Sequence, residues 1–168
     1  MNEIIDKENI NIEDMIYEVR GKQVMLDRDL AHLYKCTNGT KDINKAVKRN
    51  IERFPEDFYF QLTHEEYEIL KFQSGTANNN SSRFQIGTLN KSNNYRGSNI
   101  KYLPYAFTQE GVSMLASVLH TEVAVKVSVR IMRAFVAMRK YISNNLIELK
   151  NINNMLIRHE NKFDYIDN

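Results

Sequence analysis

Hydrophobic residues change their spacing several times along this chain, and each change marks a different element. "IYEVRGKQVMLD", residues 16–27, alternates about Arg20-Gly21, the pattern of a short hairpin. Asp27 then stands as an N-cap for a helix over "RDLAHLYK", because a carboxylate accepts the free N–H groups of a first helical turn. Leu26, Leu30, Leu33 and Tyr34 fall on one side of that helix. "CTNGT" is a turn: Asn38-Gly39 tolerates positive φ, and Thr40 offers a cap for a second helix. This second helix spans about Lys41 to Arg53. Its Ile43, Val47, Ile51 and Phe54 recur at spacings of four and three, which places them on the buried side. Pro55 closes it, since the residue before a proline is pushed out of the α region.

"DFYFQLT" alternates again, with Phe58, Phe60 and Leu62 on one face and Tyr59 and Gln61 on the other, a half-buried strand. Thr63 and Glu66 have capping-box spacing and open a helix over "THEEYEILKF". Residues 74–99 lose any hydrophobic period. Seven asparagines (78, 79, 80, 90, 93, 94 and 99) mix there with Ser and Gly, in a loop longer than compact domains usually carry. "KYLPYAFT" returns to extended structure, and Thr108 caps a helix whose core stripe is Val112, Leu115, Ala116 and Leu119. From Glu122 two periods compete. Val123, Val125, Val127 and Val129 alternate, while Ile131, Ala134, Phe135, Met138 and Ile142 repeat as a helix does. The second pattern is longer and contains strong helix formers, so it predicts a helix.

The tail reads as a heptad. Ile142, Leu149, Leu156 and Phe163 sit seven apart, and Asn145, Ile152, His159 and Ile166 sit three after each. An a/d seam of this kind asks for a partner. It predicts a parallel homodimer through residues 142–168, made by Ile142, Asn145, Leu149, Ile152, Leu156 and Phe163, with Asn145 helping to fix register. The alternative is a helix folded back on its own domain.

Length and charge sharpen this outline. The chain's 168 residues make one ordinary domain with an appendage. The partition is an acidic lead over 1–14, a domain over 15–141 carrying the Asn-rich loop 74–99, and a dimerising helix over 142–168. The formal net charge is only +2, too small to indicate a partner by itself. Its distribution says more. The lead carries Glu3, Asp6, Glu8, Glu13 and Asp14 against Lys7, whereas no acid stands between Arg83 and Lys101. The single cysteine, Cys36, excludes an internal disulfide and a CxxC zinc site, and fits a reducing compartment. The acidic, Asn-broken N-terminus is no signal peptide, and no apolar run approaches the ~20 residues that span a membrane. The expectation is a soluble cytoplasmic protein with no membrane partner.

The chemistry centres on the basic helix. "DRDLAHLYKCTNGTKDINKAVKRN" has the layout helix, glycine-containing turn, helix, which is that of a helix-turn-helix. In that geometry the second helix enters the major groove N-terminus first. Thr40, Lys41, Asn44 and Lys45 are then candidate readers, and Asn44 can pair bidentately with adenine. Lys48, Arg49 and Arg53 suit phosphates, where counterion release favours positive charge. The other reading of this face is a merely solvated one. The loop divides in the same way: Arg83, Arg96 and Lys101 among its aromatic residues order on DNA like a wing, or the loop is an idle insertion. No HExxH, Gly-rich phosphate loop or GxSxG occurs, and no His pairs with another at helical spacing. No enzyme activity, metal or cofactor is expected.

"VRGKQVMLDRDLAHLY", "INKAVKRNIERFPEDFYFQLTHEE" and "YLPYAFTQEGVSMLASVL…AVKVSVRIMRAFVAMRKYI" resemble the ORF6N domain of phage and bacterial proteins, which is grouped with the KilA-N and Bro-N domains. The resemblance covers about Ile16 to Ile142. It implies a DNA-binding module of prophage regulators and antirepressor-like proteins, with no enzyme and no cofactor. The expectation is therefore an α+β domain of short strands and hairpins packed with several helices, followed by a C-terminal coiled-coil helix. It would bind DNA as a phage-type regulator. The alternative is an antirepressor-like adaptor that captures another phage or host regulator.

Overall fold

The computed structural model describes residues 10–77 and 102–163, with side chains described up to residues 73 and 158 of those spans. The alternating segment about Arg20 forms β1 (Tyr17–Val19) and β2 (Lys22–Leu26), paired antiparallel with Tyr17 opposite Val24. Arg20 and Gly21 between them take φ of 54° and 71°. Two left-handed residues are what a two-residue hairpin needs to match the twist of its strands. Next come α1 (Asp27–Leu33), α2 (Thr40–Arg49), a 3-10 turn (Ile51–Arg53), β3 (Tyr59–Gln61) and α3 (His64–Ala77). β4 (Tyr105–Thr108), α4 (Gln109–Leu119) and the long α5 (Glu122–Phe163) complete the chain, and a 3-10 turn (Ile12–Met15) precedes β1.

The sheet order is β1-β2-β4-β3, antiparallel throughout. Phe107 of β4 lies opposite Met25 of β2 on one side and Tyr59 of β3 on the other. Alternate residues of these strands enter two cores. Val24, Leu26 and Ala106 pack with Leu62, Tyr67 and Leu70 on the α3 side. Met25 and Phe107 face Leu30, Ile43, Val47, Val112, Leu115, Ile131 and Phe135. The fold is thus α+β, with a four-stranded sheet covered on both faces. The strand predicted as half-buried belongs to this arrangement: Tyr59 packs into one core and Phe60 into the other.

Several local signals form as predicted. In the capping box, Thr63 N donates to Glu66 Oε2 at 2.8 Å, and Glu66 N donates to Thr63 Oγ1 at 3.2 Å. Thr108 Oγ1 accepts from Gly111 N at 3.3 Å at the start of α4. Glu66 also receives Arg20, whose Nε stands 2.7 Å from Oε1 and whose guanidinium lies over the Phe60 ring. The hairpin tip is thereby tied to the start of α3, and the guanidinium's hydrogen bond holds the Glu66 carboxyl below its ordinary range.

Other expectations are corrected. Asp27 is no surface cap: it is the first residue of α1, fully buried, and Leu26 precedes it as the capping position. Thr40 does not cap α2. Gly39 holds that position, and the turn is closed instead by Asp42, which accepts Asn38 N and Nδ2, each at 3.0 Å. The α-helix ends at Arg49, short of Arg53, where Asn50 leaves helical geometry and its Nδ2 donates to Ala46 O at 2.9 Å. Ile51 consequently swings out of the stripe and is 56% exposed. α3 runs to Ala77, so the first positions assigned to the 74–99 loop are helical; residues 78–101 lie outside the described residues.

α5 starts on the cap of Thr121, whose Oγ1 accepts Ala124 N at 3.0 Å. Its first half packs on α4 and on the Ile12–Met15 turn, burying Ala124, Val127, Ile131, Ala134 and Phe135. Tyr34 and Ser128 share a buried hydrogen bond of 2.8 Å between α1 and α5, and burial pushes the Tyr34 phenol up to about 12. Beyond Met138 the same helix continues without folding back, and Ile142, Leu149, Ile152 and Leu156 are exposed. The Phe163 side chain lies outside the described residues.

Candidate nucleic-acid interface

α2 is placed by what it buries. Ile43 and Val47 are fully buried, wedged against α1 and α4, so the opposite side of the helix must face outward. Lys41, Lys45, Lys48 and Arg49 lie on that outer side and are exposed, as is Arg53 on the following 3-10 turn. Among the described ion pairs none involves these five residues. The acid of α2 itself, Asp42, is turned onto Asn38, whose backbone N–H and amide hold its carboxyl below the ordinary range, with Lys45 adding a smaller pull. The helix thus carries its acid folded into the preceding turn and leaves its cations in solvent.

Thr40 and Asn44, the two polar residues assigned as readers, occupy the flank of α2 and are half-buried. Asn44 Nδ2 donates to the Tyr102 hydroxyl at 2.6 Å, and that hydroxyl donates to Asp27 Oδ2 at 2.6 Å. Arg28 N donates to Asp27 Oδ1 at 2.8 Å. The Asn44 amide is therefore engaged with the domain, not turned outward beside the lysines. Burial pushes the Asp27 carboxyl above its ordinary range, while Tyr102, the N–H groups of Tyr105 and Arg28, and Asn44 pull it back. Tyr59 and Tyr105 stack beside this network, ring centroids 4.7 Å apart, and Phe54 meets Tyr59 edge-on below the turn that carries Arg53. Burial raises the Tyr59 and Tyr102 phenols, so both stay protonated.

A family model for the ORF6N domain matches residues 14–118. The chain belongs to the ORF6N family. No curated protein and no solved structure matches it. The matched span of this ORF6N chain holds the whole sheet, α1 to α3, α4 as far as Val118, and every candidate contact on α2. It stops short of Ile142, so α5 lies outside the match although it completes the domain's core. Arg83, Arg96 and Lys101 fall within the matched span but outside the described residues. Among the described residues no group of three or more His, Cys, Asp or Glu could hold a metal ion, and no helix is long and apolar enough to cross a membrane.

The Asp27–Tyr102–Asn44 network was invisible to periodicity, because its members are up to 75 residues apart. It predicts a pH-dependent phenotype. The folded Asp27 has a raised pKa, so folding disfavours its ionised form. That disadvantage sets in as pH rises past the ordinary value of about 3.9 and is complete above the folded value. Tyr102→Phe removes a donor to the carboxylate and widens this window. The variant is expected to lose about 1–2 kcal/mol at pH 7 and less near pH 4, read by urea denaturation at both pH values. A loss that shrinks as pH rises would contradict the assignment.

Proposed function

We propose that this ORF6N chain is a phage-type regulatory protein of the cytoplasm that binds duplex DNA along the outer face of α2. One observation carries the reading: Lys41, Lys45, Lys48 and Arg49 share the side opposite Ile43 and Val47, exposed and outside every described ion pair. Cations so presented gain by releasing counterions from phosphates. Lys41 and Lys45 are the base-proximal pair, and Lys48, Arg49 and Arg53 the phosphate contacts. Thr40 and Asn44 supply the adjoining polar edge, and contact by Asn44 requires its bond to Tyr102 to open. Arg83, Arg96 and Lys101 of the Asn-rich loop, outside the described residues, are further proposed contacts to DNA. No reaction and no cofactor enters the proposal.

The test is a salt titration of binding. If the four cations of α2, Lys41, Lys45, Lys48 and Arg49, each neutralise a phosphate, they contribute a slope of log K against log salt of roughly −3.6 per protomer. Lys48→Ala with Arg49→Ala is expected to halve that slope and weaken binding roughly thirtyfold near 0.15 M salt, on any sequence. Both residues are exposed, so the thermal transition should stay in place. Unchanged binding by the double variant would leave this face simply solvated. A second reading, an antirepressor-like adaptor for another regulator, is favoured by the exposed apolar residues of α5. An adaptor shows little DNA affinity at any salt concentration.

A further inference from the structure

The apolar seam of α5 begins well before the tail. Counting back by sevens from Ile142 reaches Phe135 and Ser128; counting back from Asn145 reaches Met138, Ile131 and Ala124. Ala124, Ser128, Ile131 and Phe135 are buried in the chain's own domain, and Met138 packs against its core. Ile142, Leu149, Ile152 and Leu156 continue the same stripe and are exposed. One face of one helix therefore loses its cover at about Met138 while its spacing goes on unchanged. A 3.5-residue repeat interdigitates best with a second helix of the same repeat. α1, α2 and α4 bury their apolar sides against the sheet and α5, and α3 exposes Ile69 and Phe72 without the heptad spacing, so a second α5 is the surface that carries the same repeat. Its flanks offer no opposition: across 142–156 they hold Leu146, Asn153, Met155 and a single charge, Glu148.

We propose that this face is covered by a second copy of the chain and that the two α5 helices run antiparallel. The proposal rests on the tail being the dimerising element, and it replaces the parallel orientation that the heptad suggested. The reason is space. α5 is one uninterrupted helix from Glu122. In a parallel pair, the partner helix traced back beyond Met138 runs along the very face that the Ile12–Met15 turn and α4 already cover. Each domain would sit where the other helix has to pass. Antiparallel pairing removes the conflict, because only the end of the partner helix approaches the domain. At that point there is room for it: an open groove of about 840 Å³ lies beside Phe135, Ile142 and Leu146, lined also by Gly21 and Lys22 of the hairpin.

The test measures orientation in the full chain without DNA, so it is independent of the DNA-binding result. In a Cys36→Ala background, spin labels are placed at Asn144→Cys or Asn153→Cys, neither of them on the seam. Antiparallel pairing of the seam, with Leu149 of one helix opposite Ile152 of the other, puts the two labels at 153 about 8 Å apart along the axis and the two at 144 about 20 Å apart, at 1.5 Å per residue. Light scattering should give a dimer, and Leu149→Asp with Ile152→Asp a monomer that keeps the domain's thermal transition. A short distance at 144, or a parent protein that is a monomer or larger than a dimer, overturns the proposal.

Discussion

Gly111→Ala is expected to cost about 3 kcal/mol or more, enough to leave the domain largely unfolded under mild denaturing conditions. A Cβ at this position would overlap the carbonyl oxygen of Phe58. That oxygen belongs to the backbone and is held in place: it accepts Thr108 N at 3.0 Å and Thr108 Oγ1 at 3.3 Å. The same threonine caps α4, so the carbonyl, the cap and the first turn of the helix form one unit. Relief requires α4 to move away from the segment before β3, which pulls Val112 and Leu115, both fully buried, out of contact with the sheet. Urea denaturation of parent and variant measures the loss. A variant within about 1 kcal/mol of the parent would mean that α4 is not seated against this carbonyl.

Val47→Asp is expected to abolish cooperative folding, whereas removing the charges of the next two residues leaves the fold intact. Val47 is fully buried in a cluster with Leu30, Ile43, Leu115 and Phe135. A carboxylate there finds no cation in the cluster, and even its neutral form lacks a hydrogen-bond partner, at a cost of several kcal/mol. That is a large part of a domain's total stability. Circular dichroism melting is the measurement. A Val47→Asp protein melting within a few degrees of the parent would remove the argument that α2 is anchored through this face, and with it the reason its cations point outward.

The features legible along the chain were those that depend on near neighbours. The Arg20-Gly21 hairpin, the Thr63/Glu66 box and the Thr108 cap each involve residues within a few positions, and backbone sterics and local hydrogen bonds suffice to specify them. The stripe of α2 was legible over Ile43 and Val47 for the same reason. It failed at Ile51, because the Asn50 side chain took the Ala46 carbonyl and ended the helix early. Strand burial failed differently. Alternation predicts one greasy face, but Val24, Met25 and Leu26 are consecutive and all buried, since helices cover the sheet on both sides.

The sequence by itself determined the buried face of α2 at Ile43 and Val47, the caps at Thr63 and Thr108, the membership in a family and the row of cations on α2. These are properties of residue type at fixed spacing, and they hold before the chain closes any long loop. Only the tertiary structure decided that Asp27 is buried under Tyr102, that Asn44 is engaged inward, and that Arg20 reaches Glu66. It also decided where along α5 one continuous heptad passes from its own domain's cover to open solvent. Those outcomes depend on which distant segments come to share a volume, and a volume already filled by one part of a chain is closed to every other.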